Sequence, residues 1–216
     1  MTAGFPVVNI PYGVDSVAFA PRDKLHLRKI CDIPEDSHVV GFVADHLSDP
    51  RKGVRELIQA LKCLGTTGGI HLLSVGRGAE VIDIEGIPHT HLGVLSSDLL
   101  LSHFYSACDL FACPSLQDNL PNTVLESMAC GTPVVGFNVG GMPDMVRPSI
   151  SGTLCELGDI DALAHAIESL IENSDDLDEL GRTCRVLVEA EYTLETQALR
   201  YMSMYQSLVA GHSVSS

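Results

Sequence analysis

The chain has 216 residues, 45% hydrophobic and 19% charged, which is enough to bury one good core and too apolar for a disordered segment. Thirteen Lys and Arg against twenty-eight Asp and Glu leave a formal charge of −15. A surface that acidic repels nucleic-acid backbones and anionic lipid alike, and no apolar run approaches the roughly 20 residues that span a bilayer.

Taken in chain order, short β-branched runs alternate with longer helical patterns. A buried strand is predicted over 39–44, and Val54, Leu57, Ile58, Leu61 and Leu64 then follow the helical period. A second strand over 70–75 ends at Gly76-Arg77-Gly78, and a weaker third lies at 89–92. A helix over 97–107, a strand over 109–113, a short helix over 123–129 and a strand over 133–137 follow. Asp159 is placed to cap a helix marked by Ile160, Leu163, Ala164, Ile167, Leu170 and Ile171. Two more helices are expected at about 175–190 and 193–209, and the tail 212–216 is expected to be disordered. Strand–helix repetition with apolar strands implies an α/β fold, a Rossmann-like doubly wound parallel sheet. Ligands of such sheets bind outside the carboxyl ends of the strands. Chemistry is therefore sought in the loops 45–53, 76–80, 93–97, 114–123 and 138–142.

Each loop has a functional and a plain reading. Arg51-Lys52-Gly53 leads straight into a helix, where a cation beside open amides suits a phosphate, yet a solvated basic pair looks the same. Gly76-Arg77-Gly78-Ala79-Glu80 lacks the third glycine of a dinucleotide fingerprint and follows the second strand rather than the first. It reads either as a tight turn or as a loop that lets a ligand approach the backbone. Asp118 and Glu126 are eight residues apart at one end of the sheet, spaced to hold sugar hydroxyls beside an anion site. Alternatively, Thr123-x-x-Glu126 is a capping box and Asp118-Asn119 an Asx turn. The glycine turn Gly140-Gly141-Met142-Pro143-Asp144 is open between the same two readings.

Other chemistries find no support in the sequence. Nine histidines form no HExxH or His–Cys ligand pattern, so no metal is expected, and there is no GxSxG elbow or Walker A loop. Seven cysteines without a CxxC pair, and no basic segment before an apolar stretch at the N-terminus, read as reduced thiols of a cytoplasmic protein. Cys113 and Cys130, in apolar stretches, read as core fillers.

At these residues the sequence resembles the C-terminal, donor-binding domain of the retaining GT-B glycosyltransferases, family 4 or "group 1" type. The resemblance is an ordered set: Ile10-Pro11-Tyr12-Gly13-Val14-Asp15 for the P-N-G-V-D entry, Arg51-Lys52-Gly53 for the phosphate-contacting K-G, and Ser74-Val75-Gly76-Arg77-Gly78 for V-G-x-G. Residues 114–135 resemble the signature stretch, and Gly140 to Asp144 the G-G-x-P-E turn. The resemblance implies that Lys52 contacts the donor diphosphate and that the loop of Asn119, Leu120 and Pro121 leads to the amides of Asn122, Thr123 and Val124, which bind it. By the same resemblance Glu126, the second acid of E-x7-E, holds the ribose hydroxyls, Asp118 faces the donor sugar, and Val94 and Leu95 line the nucleobase site. It further implies a metal-free reaction with a nucleotide-sugar donor, and a glycan or lipid-linked acceptor carried by an N-terminal domain that this chain lacks. Nucleic acid and a transmembrane segment are not expected, and the full-length protein is expected in the cytoplasm, with peripheral membrane attachment left open.

Three departures qualify the match. Tyr12 stands for Asn. Asp118 stands for Glu, in an Asp-Asn-Leu-Pro-Asn form that resembles a polysaccharide-assembly subgroup. The usual Arg after the first strand has no counterpart at Val43, Ala44 or Asp45, which leaves Arg51 as a substitute. The whole of 1–211 is expected to be one donor-binding domain, inactive alone. Its last helix, about 193–209, is expected to pack toward the absent domain and to expose Tyr201, Met202, Met204 and Tyr205. The competing readings are a GT-B nucleotide-sugar epimerase, a degenerate interaction module, and a dinucleotide-dependent oxidoreductase.

Overall fold

Apolar strands that alternate their side chains between two helical layers organise the chain. The computed structural model describes residues 7–65 and 69–210, so the expectation for 212–216 lies outside the described residues. Its elements are α1 (Lys24–Ile30), β1 (His38–His46), α2 (Val54–Leu64), β2 (Ile70–Arg77), β3 (His89–His91), α3 (Asp98–Ala107), β4 (Leu110–Cys113) and α4 (Asn122–Ala129). They continue with β5 (Val134–Phe137), α5 (Met142–Met145), β6 (Gly152–Cys155), α6 (Ile160–Glu172), α7 (Ser174–Glu191) and α8 (Leu194–Val209). Short 3-10 turns occupy Pro50–Lys52 and Ala79–Val81.

The six strands are parallel in the order β3-β2-β1-β4-β5-β6. Val40, Phe42, Leu72, Leu110 and Ala112 face the layer of α2 and α6, with Leu57, Leu61, Leu163 and Ile167. Their neighbours Val39, Leu73 and Phe111 face α3, α4 and α7, with Phe104, Tyr105, Met128 and Leu187. β1, β2, β4 and β5 are buried on both faces and so carry near-continuous apolar runs, and the strand order reverses between β1 and β4. Cys113 and Cys130 are buried in the second layer, where burial pushes each thiol up to about 11.

Two features escaped the sequence reading. α1 is seven residues long, closed by Asp23, whose side chain accepts from the Leu25 amide. Its Arg28 is buried and donates to the Ala107 and Ser37 carbonyls and to Asp109. β6 starts at Gly152, whose φ of 149° would press any Cβ into the Val134 carbonyl. Only pairing with β5 makes so short a run a strand.

At the other end of the chain, Thr193 caps α8 by accepting from the Thr196 amide. Val14 forms a parallel bridge with Thr193: its amide donates to the Tyr192 carbonyl, and its carbonyl accepts from the Leu194 amide. The entry segment is thereby tied to the start of the last helix. α8 itself has no buried residue. Tyr201, Met202 and Tyr205 are exposed as expected, while Met204 is half-buried. Among the described residues, no helix is long and apolar enough to cross a membrane.

Candidate functional site

The point where the strand order reverses opens between the loops that follow β1 and β4. Both loops lead into helices whose starts no side chain caps: α2 begins after Gly53 and α4 after Pro121. No side chain caps the start of α4 and its third amide, that of Val124, turns back to the Pro121 carbonyl, which leaves the Asn122 and Thr123 amides at the positive end of the helix for a ligand. The loops are locked together. The Leu116 amide donates to the Arg51 carbonyl at 2.8 Å, and Gly53 has a φ of 73°, with space for a Cβ taken by the Pro114 carbonyl. Here glycine is required both by its backbone angle and by the close approach.

This clamp brings Lys52 to Asp118. Lys52 Nζ lies 2.7 Å from Asp118 Oδ2, and the two side chains are 35% and 14% exposed. The pair is thus half-open, and the Asp118 carboxylate is bound by Lys52 across the loop. Arg51 points elsewhere: its guanidinium holds Asp49 with Nε and Nη2 at 3.1 and 2.7 Å. That contact, above all its hydrogen bonds, holds Asp49 down at about 2. Asn119 and Leu120 continue the loop against the turn after β5. The Gly141 amide donates to the Asn119 carbonyl at 2.7 Å, and Gly140 (φ 55°) abuts the Asp118 carbonyl. The Gly140-Gly141 turn therefore supports the Asp118 loop. Along the start of α4, Asn122 is exposed, Thr123 half-buried and Val124 buried, its amide donating to the Pro121 carbonyl.

The capping-box alternative for Glu126 does not survive. Pro121 is the N-cap, which makes Thr123 the second helical residue and Glu126 the fifth, and no side chain closes the helix start. Instead Glu126 Oε2 accepts from the Tyr105 hydroxyl at 2.7 Å. Burial raises the Glu126 carboxyl above the ordinary glutamate range; the Tyr105 bond opposes that rise and the Asp98 charge adds to it. Glu126 faces a pocket of about 190 Å³ with Gly13, Asp15, Phe19, Asp98 and Asn122. The entry segment thus meets the second acid. Sequence reading missed Tyr105 because an aromatic at a helical period reads as core.

The remaining candidates sit to one side. Gly76 (φ 143°) lies against the Ala44 carbonyl, and its amide donates to the Gly93 carbonyl at 2.8 Å. This bond ties the Gly76 loop to the segment of Val94 and Leu95. Val94 is exposed, and Leu95 packs in part against the core. Gly78 (φ 83°) opens only the 3-10 turn Ala79–Val81, so no helix follows it as a dinucleotide fingerprint needs. His89 and His91 share the Ser74 hydroxyl at 2.8 and 2.9 Å. Among the described residues, no three His, Cys, Asp or Glu side chains group as a metal site.

Residues 37–173 match the family model described as "Glycosyl transferases group 1". The D-inositol 3-phosphate glycosyltransferase of Segniliparus rotundus is 30% identical over 214 residues, 94% of this chain and 47% of that protein. The sucrose-phosphate synthase of Thermosynechococcus elongatus superposes with a TM-score of 0.81 at 28% identity, over 94% of this chain and 52% of that one. The C-terminal domain of a glycosyl transferase group 1 family protein from Francisella tularensis superposes with a TM-score of 0.70 at 19% identity. That match covers 84% of this chain and all (100%) of that domain, and it speaks to the fold alone. The chain spans about half the length of the first curated relatives it matches, 47% and 52%.

Proposed function

Because the chain belongs to the group 1 glycosyltransferase family, we propose that it is the donor-binding half of a retaining enzyme that moves a sugar from a nucleoside-diphosphate sugar to a glycan or lipid-linked acceptor in polysaccharide biosynthesis. The observation that carries this reading is the Lys52–Asp118 pair, held between two uncapped helix starts where the strand order reverses. A departing diphosphate develops negative charge, and a lysine with the positive end of α4 stabilises it without rearrangement. Lys52 takes the diphosphate together with the amides of Asn122 and Thr123. Asp118, released from its lysine, turns to the hydroxyls of the donor sugar. Glu126 takes the ribose hydroxyls, with its pocket beside the entry segment. In this reading no metal is needed, and the acceptor is bound by a second domain.

Calorimetric titration of the chain with UDP, GDP and ADP in EDTA, beside Glu126→Ala, tests the reading. The expected result is binding of one nucleotide, weakened by about 1.5–3 kcal/mol in the variant, the worth of a hydrogen bond to a charged group. Binding of none of the three, or equal binding by the variant, overturns it. The chain alone is expected to turn over little or no donor, and robust transfer by it would remove the need for a second domain.

A further inference from the structure

Tyr105 is fully buried in α3, its ring edge-on to Phe104 and Phe111 at centroid distances of 5.2 and 5.3 Å. Its carbonyl accepts from the Thr132 hydroxyl at 2.7 Å, so backbone and ring are both fixed. The phenol is directed at one atom, Glu126 Oε2. Among the described residues it is the one hydrogen-bond donor to that carboxylate. A buried phenol needs a partner, and a carboxylate in a half-buried pocket needs a fixed orientation to recognise a rigid ligand.

We infer that Tyr105 is a positioning residue for ribose recognition: by holding Glu126 Oε2 it orients the carboxylate toward the pocket, so that the vicinal hydroxyls of a ribonucleotide, and not of a dideoxynucleotide, are read. The inference rests on the donor reading above and adds a residue that does not itself touch the ligand. Asp98 and Asp15 also face the pocket, and they supply negative charge but no donor. The tyrosine hydroxyl therefore opposes the burial, and the smaller Asp98 charge, that favour the protonated form of Glu126.

The test compares the wild type with Tyr105→Phe, using the nucleoside diphosphate that the wild type binds and its 2′,3′-dideoxy analogue. Loss of the hydroxyl is expected to weaken the ribonucleotide about tenfold and leave the dideoxy form within about twofold. The acid-side midpoint of ribonucleotide binding is expected to move to higher pH, because Glu126 loses the donor that favours its carboxylate. Equal weakening of both nucleotides, with no shift in midpoint, makes Tyr105 a packing residue and overturns the inference. If the wild type discriminates no ribose, or Glu126→Ala binds as well as the wild type, the donor reading itself fails instead. Should the phenylalanine variant not fold, 3-fluorotyrosine in place of all five tyrosines keeps ring and hydroxyl and makes a stronger donor. The midpoint is then expected to move to lower pH for the ribonucleotide alone, and an unmoved midpoint overturns the inference.

Discussion

The two ends of the sheet each carry an acid–base contact of 2.7 Å, and they are built for opposite purposes. At the amino ends of the strands, Asp109 takes Arg28 at 2.7 Å, Lys24, and the Val39 amide, while Arg28 also binds two carbonyls. Arg28 is 3% exposed. Burial alone would raise the Asp109 carboxyl, but the Lys24 and Arg28 charges outweigh it and the carboxyl sits below its ordinary range. At the carboxyl ends, Lys52 and Asp118 have each other and partial access to water. A saturated network fixes the fold, whereas a half-open pair can exchange its partner for a ligand. Distance alone does not distinguish the two ends; what else each group binds does.

Breaking the closed end is expected to have the largest effect. Asp109→Ala leaves Arg28 charged and buried without its carboxylate, which costs about 3–5 kcal/mol in denaturant unfolding. A loss below about 1 kcal/mol would show that Arg28 reaches water and that the two ends are alike. Gly53→Ala comes next. The added Cβ meets the Pro114 carbonyl at a φ that only glycine adopts easily, so about 1–3 kcal/mol of stability is expected to go. Nucleotide affinity should fall with it, because this clamp sets the position of Lys52. Unchanged affinity in a folded variant would separate the clamp from the site.

Lys52→Ala sharpens the comparison from the other side. It is expected to change stability by no more than about 1 kcal/mol, as half-exposed pairs do. Nucleotide affinity should nevertheless fall about tenfold, one charge-assisted contact. Equal losses of stability and binding would mean the lysine is structural. The smallest effect is a separation on acidification. Asp109 has a depressed carboxyl, so its contribution is present above the ordinary aspartate range and is lost only as pH falls through its lower folded value. Glu126 has a raised carboxyl, so its ligand-accepting form disappears at a pH above the ordinary glutamate range. Binding is therefore expected to fail at a higher pH than folding, followed by calorimetry and circular dichroism on the same samples. Coincident midpoints would remove the distinction.

Much of the fold was legible in the sequence because β1, β2, β4 and β5 are buried on both faces and so run apolar, and because Asp159 closes α6 locally. α1 and β6 were not, since a short amphipathic helix and a four-residue strand carry too little pattern to be distinguished from loop. Of the site, the loops that follow the strands could be named from the sequence, and the family resemblance singled out Lys52, Asp118 and Glu126. Spacing left Glu126 open as a capping residue, and the helix start at Pro121 removed that reading.

The alternation of strand and helix, and hence which loops share one edge of the sheet, is written in the local pattern of residues. That Lys52 meets Asp118 across 66 residues of chain, and Tyr105 meets Glu126 across 21, is not: it emerges from the packed fold, because parallel pairing is non-local. Setting β4 beside β1 is a choice made by the burial of both sheet faces together, and no local window of sequence contains it.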